Sequence, residues 1–174
     1  MIDRLLCRDD YVRSRGYRHD NAESDLVKER TSLSLFDYDD SFRDIRKAML
    51  DSIHSELGRF HPIEHSELLQ LTRYRVGQEY RPHYDNFNLP GYPPVHSVDR
   101  CATALLYLND GFEGGATAFP KLGITVWPRQ GDILYFEYDE ETFELALHAG
   151  EPIIKGEKRI ASLWIRAGVW PVQD

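Results

Sequence analysis

At 174 residues, with 41% hydrophobic and 29% charged side chains, the chain is long enough for one domain with a full core and too apolar to be disordered. A formal net charge of -8 argues against nucleic-acid binding, which needs a basic face to displace counterions. Two cysteines, Cys7 and Cys101, are too few for a disulfide framework and point to a reducing, cytoplasmic setting. The N-terminal stretch lacks the apolar segment of a signal peptide, and no run approaches the roughly 20 residues that span a bilayer, so no membrane partner is expected.

In chain order, residues 1–38 are polar and mixed, with partial alternation in "LVKERTSLSLF" and a long loop expected over "RSRGYRHDNAESD". A helix is predicted in "DDSFRDIRKAMLDSIHSELG", where Phe42, Ile45, Met49, Ile53 and Leu57 form an apolar stripe at three- and four-residue steps. Asp40 or Ser41 is expected to cap its start, and Gly58 to end it in a left-handed conformation. The pattern then changes to short segments rich in aromatic and β-branched residues: "LLQLTRYRV", "CATALLYLND", "GGATAFP", "ITVWP", "DILYFEY" and "IASLWIR". "NDGFEGG", "RQGD" and "KGEK" punctuate them as turns. No strand is followed by a second long helix, which argues against βαβ units. The expectation is one α+β domain over residues 1–174, an antiparallel jelly-roll barrel carrying an N-terminal helical part. The Pro-rich stretch over residues 86–100 reads as a lid loop.

Within "YRPHYDNF", His83 and Asp85 stand two apart and would share one face of an extended chain. By themselves they are compatible with half of a metal site or with a polar patch on an edge strand. Of the remaining histidines, His19 and His96 sit in loops and His54, His61 and His65 lie in or just after the helix. His148, in "ELALHAGEPI", is the one on a late strand. Two histidines and a carboxylate with three open positions match the facial triad of non-haem Fe(II) oxygenases. A zinc site with one open position competes, although the HExxH motif of zinc peptidases is absent. Lys158 lies ten residues beyond His148, across "IIKGEKR", and the two strands are expected to pair. A buried lysine there would neutralise the distal carboxylate of a keto-acid co-substrate. Alternation places Lys158, Ile160, Ser162 and Trp164 on one strand face. Arg73, Arg75 and Arg81 are read as an exposed strand face, with recognition of an anionic substrate group as the alternative.

From about Arg30 to Trp164 the chain resembles the catalytic domain of the prolyl 4-hydroxylases. The resemblance rests on "RTS" at 30–32, "ELLQLTRYRVGQEYRPHYD" at 67–85, "DRCATALLYLND" at 99–110, "GGATAFPKLGITVWPRQGD" at 114–132 and "HAGEPIIKGEKRIASLWIR" at 148–166. It implies a double-stranded β-helix (cupin-like) core, Fe(II) held by His83, Asp85 and His148, and Lys158 on the distal carboxylate of 2-oxoglutarate. It further implies O2 as co-substrate and ascorbate as reductant, with Tyr74, Thr117 and Tyr107 lining the co-substrate pocket. The family's peptide groove maps to Arg30, Ser32, Glu67, Tyr80, Arg100 and Trp164. Residues 1–29 are shortened or divergent relative to the family, "SLSLFDYDD" replaces a small glycine-containing segment, and Arg166 stands where related enzymes can carry histidine. The reaction implied is hydroxylation of peptidyl proline coupled to decarboxylation of 2-oxoglutarate to succinate and CO2. Asp85 favours hydroxylation over halogenation, since related halogenases have a small residue at that place. The alternatives are the same chemistry on a free amino acid or other small molecule, and a non-catalytic metal- or peptide-binding barrel. Monomer and homodimer are equally open.

Overall fold

Alternation in the longest strands decides which face becomes the core and which the site. The computed structural model describes residues 1–14, 30–88, 99–139 and 141–169, and the backbone of 16–17 and 23–24. In chain order they form α1 (Ile2–Leu6), β1 (Val12–Arg13), β2 (Gly16–Tyr17), β3 (Glu23–Ser24), β4 (Leu33–Phe36), α2 (Arg43–Leu57), β5 (Gln70–Arg75) and β6 (Tyr80–His83). There follow β7 (Arg100–Tyr107), β8 (Glu113–Gly114), β9 (Thr117–Phe119), β10 (Ile124–Val126), β11 (Ile133–Glu137), β12 (His148–Gly150), β13 (Ile153–Lys155) and β14 (Glu157–Arg166). A six-stranded antiparallel sheet runs β1-β4-β5-β14-β7-β11, and a four-stranded one runs β10-β9-β12-β6. Two ribbons, β13-β8 and β2-β3, complete the strands. The few helices and the antiparallel sheets agree with the α+β expectation.

The larger sheet is buried on both faces. One face carries Leu71, Ala102, Ala104, Leu106, Ala161, Leu163 and Ile165, which pack with Leu5 and with Ile45, Met49, Leu50 and Ile53 of α2 in one buried cluster. The opposite face carries Tyr74, Leu105, Tyr107 and Ile160, which form a second cluster with Ile153 of β13. Period-two alternation in "RCATALLY" and "KRIASLWI" therefore sorts side chains between helix-side core and site.

Helix α2 forms where its apolar stripe predicts, with two corrections. Asp37, not Asp40 or Ser41, serves its start: its carboxylate accepts from the N–H of Ser41 at 3.1 Å and of Phe42 at 2.8 Å. Asp40 has a positive φ of 52° and spends its own carboxylate on Arg46 at 2.8 Å and Arg43 at 3.3 Å. Leu57, on the same face but the last residue of the helix, is 57% exposed and so does not extend the buried stripe. Gly58 ends the helix at φ 66°, as expected. Among residues 1–14, part of the stretch read as polar and mixed, β1 pairs with β4 at one edge of the larger sheet and α1 buries Leu5 in the helix-side core.

The pairing expected between the His148 and Lys158 strands does not occur. Strand β12 pairs with β6 and β9, whereas β14 pairs with β5 and β7, so the two residues lie on different sheets. The nine intervening residues include β13, which pairs with β8 instead. Arg73 also departs from expectation: it is buried, stacks over Tyr11 with 4.6 Å between guanidinium and ring, and pairs with Asp9 at 2.6 Å, while Arg75 and Arg81 are exposed. Residues 89–98 of the expected lid, His19, His96 and most of the expected loop over residues 13–25 lie outside the described residues.

Candidate metal centre and co-substrate cleft

Register brings the two histidines together. His83 ends β6 and His148 begins β12, and they are direct antiparallel partners, with ring centroids 4.2 Å apart. Asp85 follows two residues beyond His83. Each of the three side chains offers one ligand atom, and these atoms lie within 4.8 Å of one another. The Nδ1–H of His83 donates to the Arg81 carbonyl at 2.8 Å, and that of His148 to the Ala146 carbonyl at 2.9 Å. Both rings therefore turn Nε2 towards Asp85. The Nε2 atoms stand 3.7 Å and 3.6 Å from its carboxylate oxygens, too far for hydrogen bonds.

The electrostatics suit a cation. Burial, aided by the neighbouring His148, pushes His83 down to about 3, so its Nε2 carries a lone pair at neutral pH. Burial by itself would raise the Asp85 carboxyl, but His148, His83, Arg100 and the Thr103 hydrogen bond outweigh it and hold Asp85 at about 2. A buried carboxylate and an imidazole lone pair face each other without a proton between them. That donor set of two imidazoles and one carboxylate fits a divalent first-row metal with open positions.

Facing this trio across a cleft is the inner face of the larger sheet. The cleft encloses about 420 Å³ of empty space, open solvent at its mouth included. Tyr74, Leu105, Thr117, Lys158, Ile160, Ser162 and Trp164 share its lining with His83, Asp85 and His148. The grid is set by register: Lys158 sits opposite Tyr74, Ile160 opposite Tyr107, Ser162 opposite Leu105 and Trp164 opposite Thr103. Lys158 is 3% exposed, and burial pushes its ammonium down to about 8 despite Glu151. Its Nζ donates to the Gly115 carbonyl at 2.6 Å. Gly115 has φ 67°, and a Cβ there would run into Ile153, so glycine is what lets that carbonyl approach. Tyr107 stands behind the lining, with its hydroxyl 2.8 Å from that of Thr117.

The expected groove residues divide into two groups. Tyr80 and Trp164 line the cleft; Tyr80 stacks on His83 with centroids 3.4 Å apart, and the buried Trp164 Nε1 has no hydrogen-bond partner among the described residues. Arg30, Ser32, Glu67 and Arg100 stand outside the lining. Arg30 donates to Ser32, Ser34, Gln70 and Thr72 at 2.7–3.1 Å and lies 4.8 Å over the Tyr80 ring. Glu67 is clasped by Arg100 through two bonds of 2.7 Å and by Arg166 at 2.7 Å. Arg100 also stacks 3.9 Å from Trp164 and donates to the Asp85 carbonyl at 3.1 Å. Sequence reasoning marked Arg166 only as a departure, and it missed Thr103 and Gly115. Alternation in "RCATALLY" could have placed Thr103 on the site face.

The match to known proteins agrees with this arrangement. Residues 69–166 match the model of the 2OG-Fe(II) oxygenase superfamily. Probable prolyl 4-hydroxylase 10 of Arabidopsis thaliana is 35% identical over 156 residues, covering 77% of this chain and 52% of the relative. Probable prolyl 4-hydroxylase 3 of the same plant is 31% identical over 191 residues, covering 96% and 64%. The chain thus spans between half and two thirds of these relatives' length. Among solved structures, the viral collagen prolyl hydroxylase of Paramecium Bursaria Chlorella virus-1, in its 2OG complex, superposes with a TM-score of 0.59 at 30% identity, covering 81% of each chain. A prolyl hydroxylase from Trichoplax adhaerens, in complex with a hypoxia inducible factor peptide, gives 0.63 at 19% identity over 94% of this chain and 74% of its own, a likeness of fold. The half of the chain that carries the trio and the cleft is the half that matches the family model, and the chain belongs to the prolyl 4-hydroxylase family of 2OG-Fe(II) oxygenases.

Proposed function

We propose that the chain is a single catalytic domain that hydroxylates peptidyl proline, using Fe(II), 2-oxoglutarate and O2. The observation that carries this reading is the buried convergence of His83, Asp85 and His148 opposite a buried lysine with no carboxylate to pair it among the described residues. The two facing sheets are read as the halves of a double-stranded β-helix, with the trio at the edge of the smaller and the anion cradle on the larger. His83, Asp85 and His148 would hold the iron. Bound there, Fe(II) would supply the redox chemistry that couples decarboxylation of 2-oxoglutarate to C–H hydroxylation. Lys158 would hold the distal carboxylate in a charge-assisted bond, exchanging the Gly115 carbonyl for it, while Tyr74, Thr117 and Tyr107 fix the pocket's length. Tyr80 and Trp164 would meet the peptide, and the Arg30 and Glu67–Arg100 networks would hold those two side chains in place. Ascorbate as reductant and a cytoplasmic setting, which the two free cysteines suit, complete the proposal.

The test is succinate release from 2-oxoglutarate with Fe(II) and ascorbate, in the presence of proline-rich peptides or of free amino acids. Stimulation by the peptides supports the proposal. Stimulation by free amino acids alone would move the substrate to a small molecule, and no turnover with any of them would sink the enzymatic reading.

A further inference from the structure

From the hydrogen bonds around Asp85 we infer that Thr103 and Tyr138 are positioning residues for that carboxylate, occupying one of its oxygens with a hydrogen bond and leaving the other for the metal. The inference rests on the iron site proposed above and adds two residues to it.

Asp85 lies beyond the end of β6, so no strand ladder fixes it. Two groups on β7 do so from the opposite sheet. Arg100 donates to its backbone carbonyl at 3.1 Å, and the Thr103 hydroxyl donates to its Oδ2 at 2.8 Å. Thr103 is fully buried, and its hydroxyl also lies 3.0 Å from the Tyr138 hydroxyl. An ionised carboxylate can only accept, so the one proton of Thr103 goes to Asp85 and Tyr138 must be the donor in the second bond. The chain therefore runs one way, from the Tyr138 hydroxyl to Thr103 and from Thr103 to Oδ2. Tyr138 is itself 4% exposed and is held by its N–H on the Cys101 carbonyl at 2.9 Å. A hydrogen bond to one carboxylate oxygen, strengthened by a donor behind it, lowers that oxygen's capacity as a ligand and locks the side-chain torsion. Oδ1 lies 3.7 Å from His83 Nε2 and Oδ2 lies 3.6 Å from His148 Nε2; with Oδ2 engaged by Thr103, Oδ1 is left as the better ligand atom.

The experiment titrates the purified protein with Co(II), reading affinity and visible ligand-field bands, alongside urea unfolding of the metal-free form. Thr103→Val is expected to weaken Co(II) by about 10–100-fold and to alter the bands. Tyr138→Phe should shift both in the same direction by less, and Thr103→Ser should restore them. Thr103→Val also strands the buried Tyr138 hydroxyl. The double variant with Tyr138→Phe should therefore regain urea resistance without regaining affinity, a separation that a purely structural role would not show. Wild-type affinity and bands in both Thr103→Val and Tyr138→Phe overturn the inference, as does a Thr103→Ser variant no better than Thr103→Val. Should Thr103→Val fail to fold, Tyr138→Phe and Thr103→Ser decide it by the same readings. His83→Ala separates the two claims. Co(II) binding that it leaves intact overturns the metal site itself, and the inference with it. Binding lost in His83→Ala but unmoved by the Thr103 and Tyr138 variants overturns the positioning role alone.

Discussion

Replacing Lys158 by methionine should make the metal-free protein more stable while removing its hold on 2-oxoglutarate. Burial moves the ammonium from 10.5 to about 8, which at about 1.4 kcal/mol per pKa unit means roughly 3 kcal/mol spent on keeping a charge in the cleft at neutral pH. Methionine matches the side chain in length but forfeits the bond to the Gly115 carbonyl, about 1 kcal/mol. The net gain is therefore on the order of 1–2 kcal/mol at pH 7. Its pH dependence has a definite sign. Between about 8 and 10.5 the unfolded chain holds the lysine proton and the folded chain does not, so wild-type stability rises relative to the variant through that window. Below it the cost is complete, and above it the advantage of methionine is gone. Over the same substitution, 2-oxoglutarate should bind on the order of a hundredfold more weakly, because its distal carboxylate would enter a buried site without a counter-charge. Urea unfolding at pH 7 and near pH 10, with calorimetric titration of 2-oxoglutarate, reads all three quantities. A variant that is less stable at pH 7 and still binds 2-oxoglutarate normally would refute the reasoning.

Affinity of the wild type for 2-oxoglutarate should fall as pH rises past about 8, with proton uptake on binding above that point, measured by titration in buffers of different ionisation enthalpy. Glu67→Gln leaves Arg100 and Arg166 buried against a neutral amide; it should cost about 3 kcal/mol in urea unfolding and raise KM for the peptide more than for 2-oxoglutarate. Gly115→Ala, forced to keep φ 67° against Ile153, should weaken 2-oxoglutarate binding while leaving Co(II) affinity near wild type. Leu163→Ala, at a fully buried position between the larger sheet and α2, should cost about 2–5 kcal/mol without altering Co(II) binding.

Ligand chemistry and local periodicity were what the sequence made legible. That His83, Asp85, His148 and Lys158 line one cleft was legible because few residue types bind metals or anions and because strands give them a period of two. Helix α2 was readable because its stripe is local. Which strand lies beside which was not, since the placement of β12 and β14 in different sheets follows from crossovers spanning the whole chain. For the same reason Asp37 escaped notice as a cap: its bonds to the backbone of Ser41 and Phe42 depend on a turn through Asp40 with positive φ, which Asp seldom adopts. The Thr103 bond to Asp85 and the Tyr138 contact join residues 18 and 35 apart, with no local pattern to announce them. Glu67 was marked through resemblance, yet its pairing with Arg166 depends on residues 99 apart meeting beside Trp164.

The central claim is that the proposed iron site oxidises peptidyl proline. It is tested most directly by supplying isotopically labelled O2 with Fe(II), 2-oxoglutarate and a proline-rich peptide, then locating the label by mass spectrometry. The account predicts one labelled oxygen in succinate and the other on a prolyl residue, with both lost in His148→Ala. Labelled succinate beside an unmodified peptide, or turnover that survives loss of His148, would contradict it.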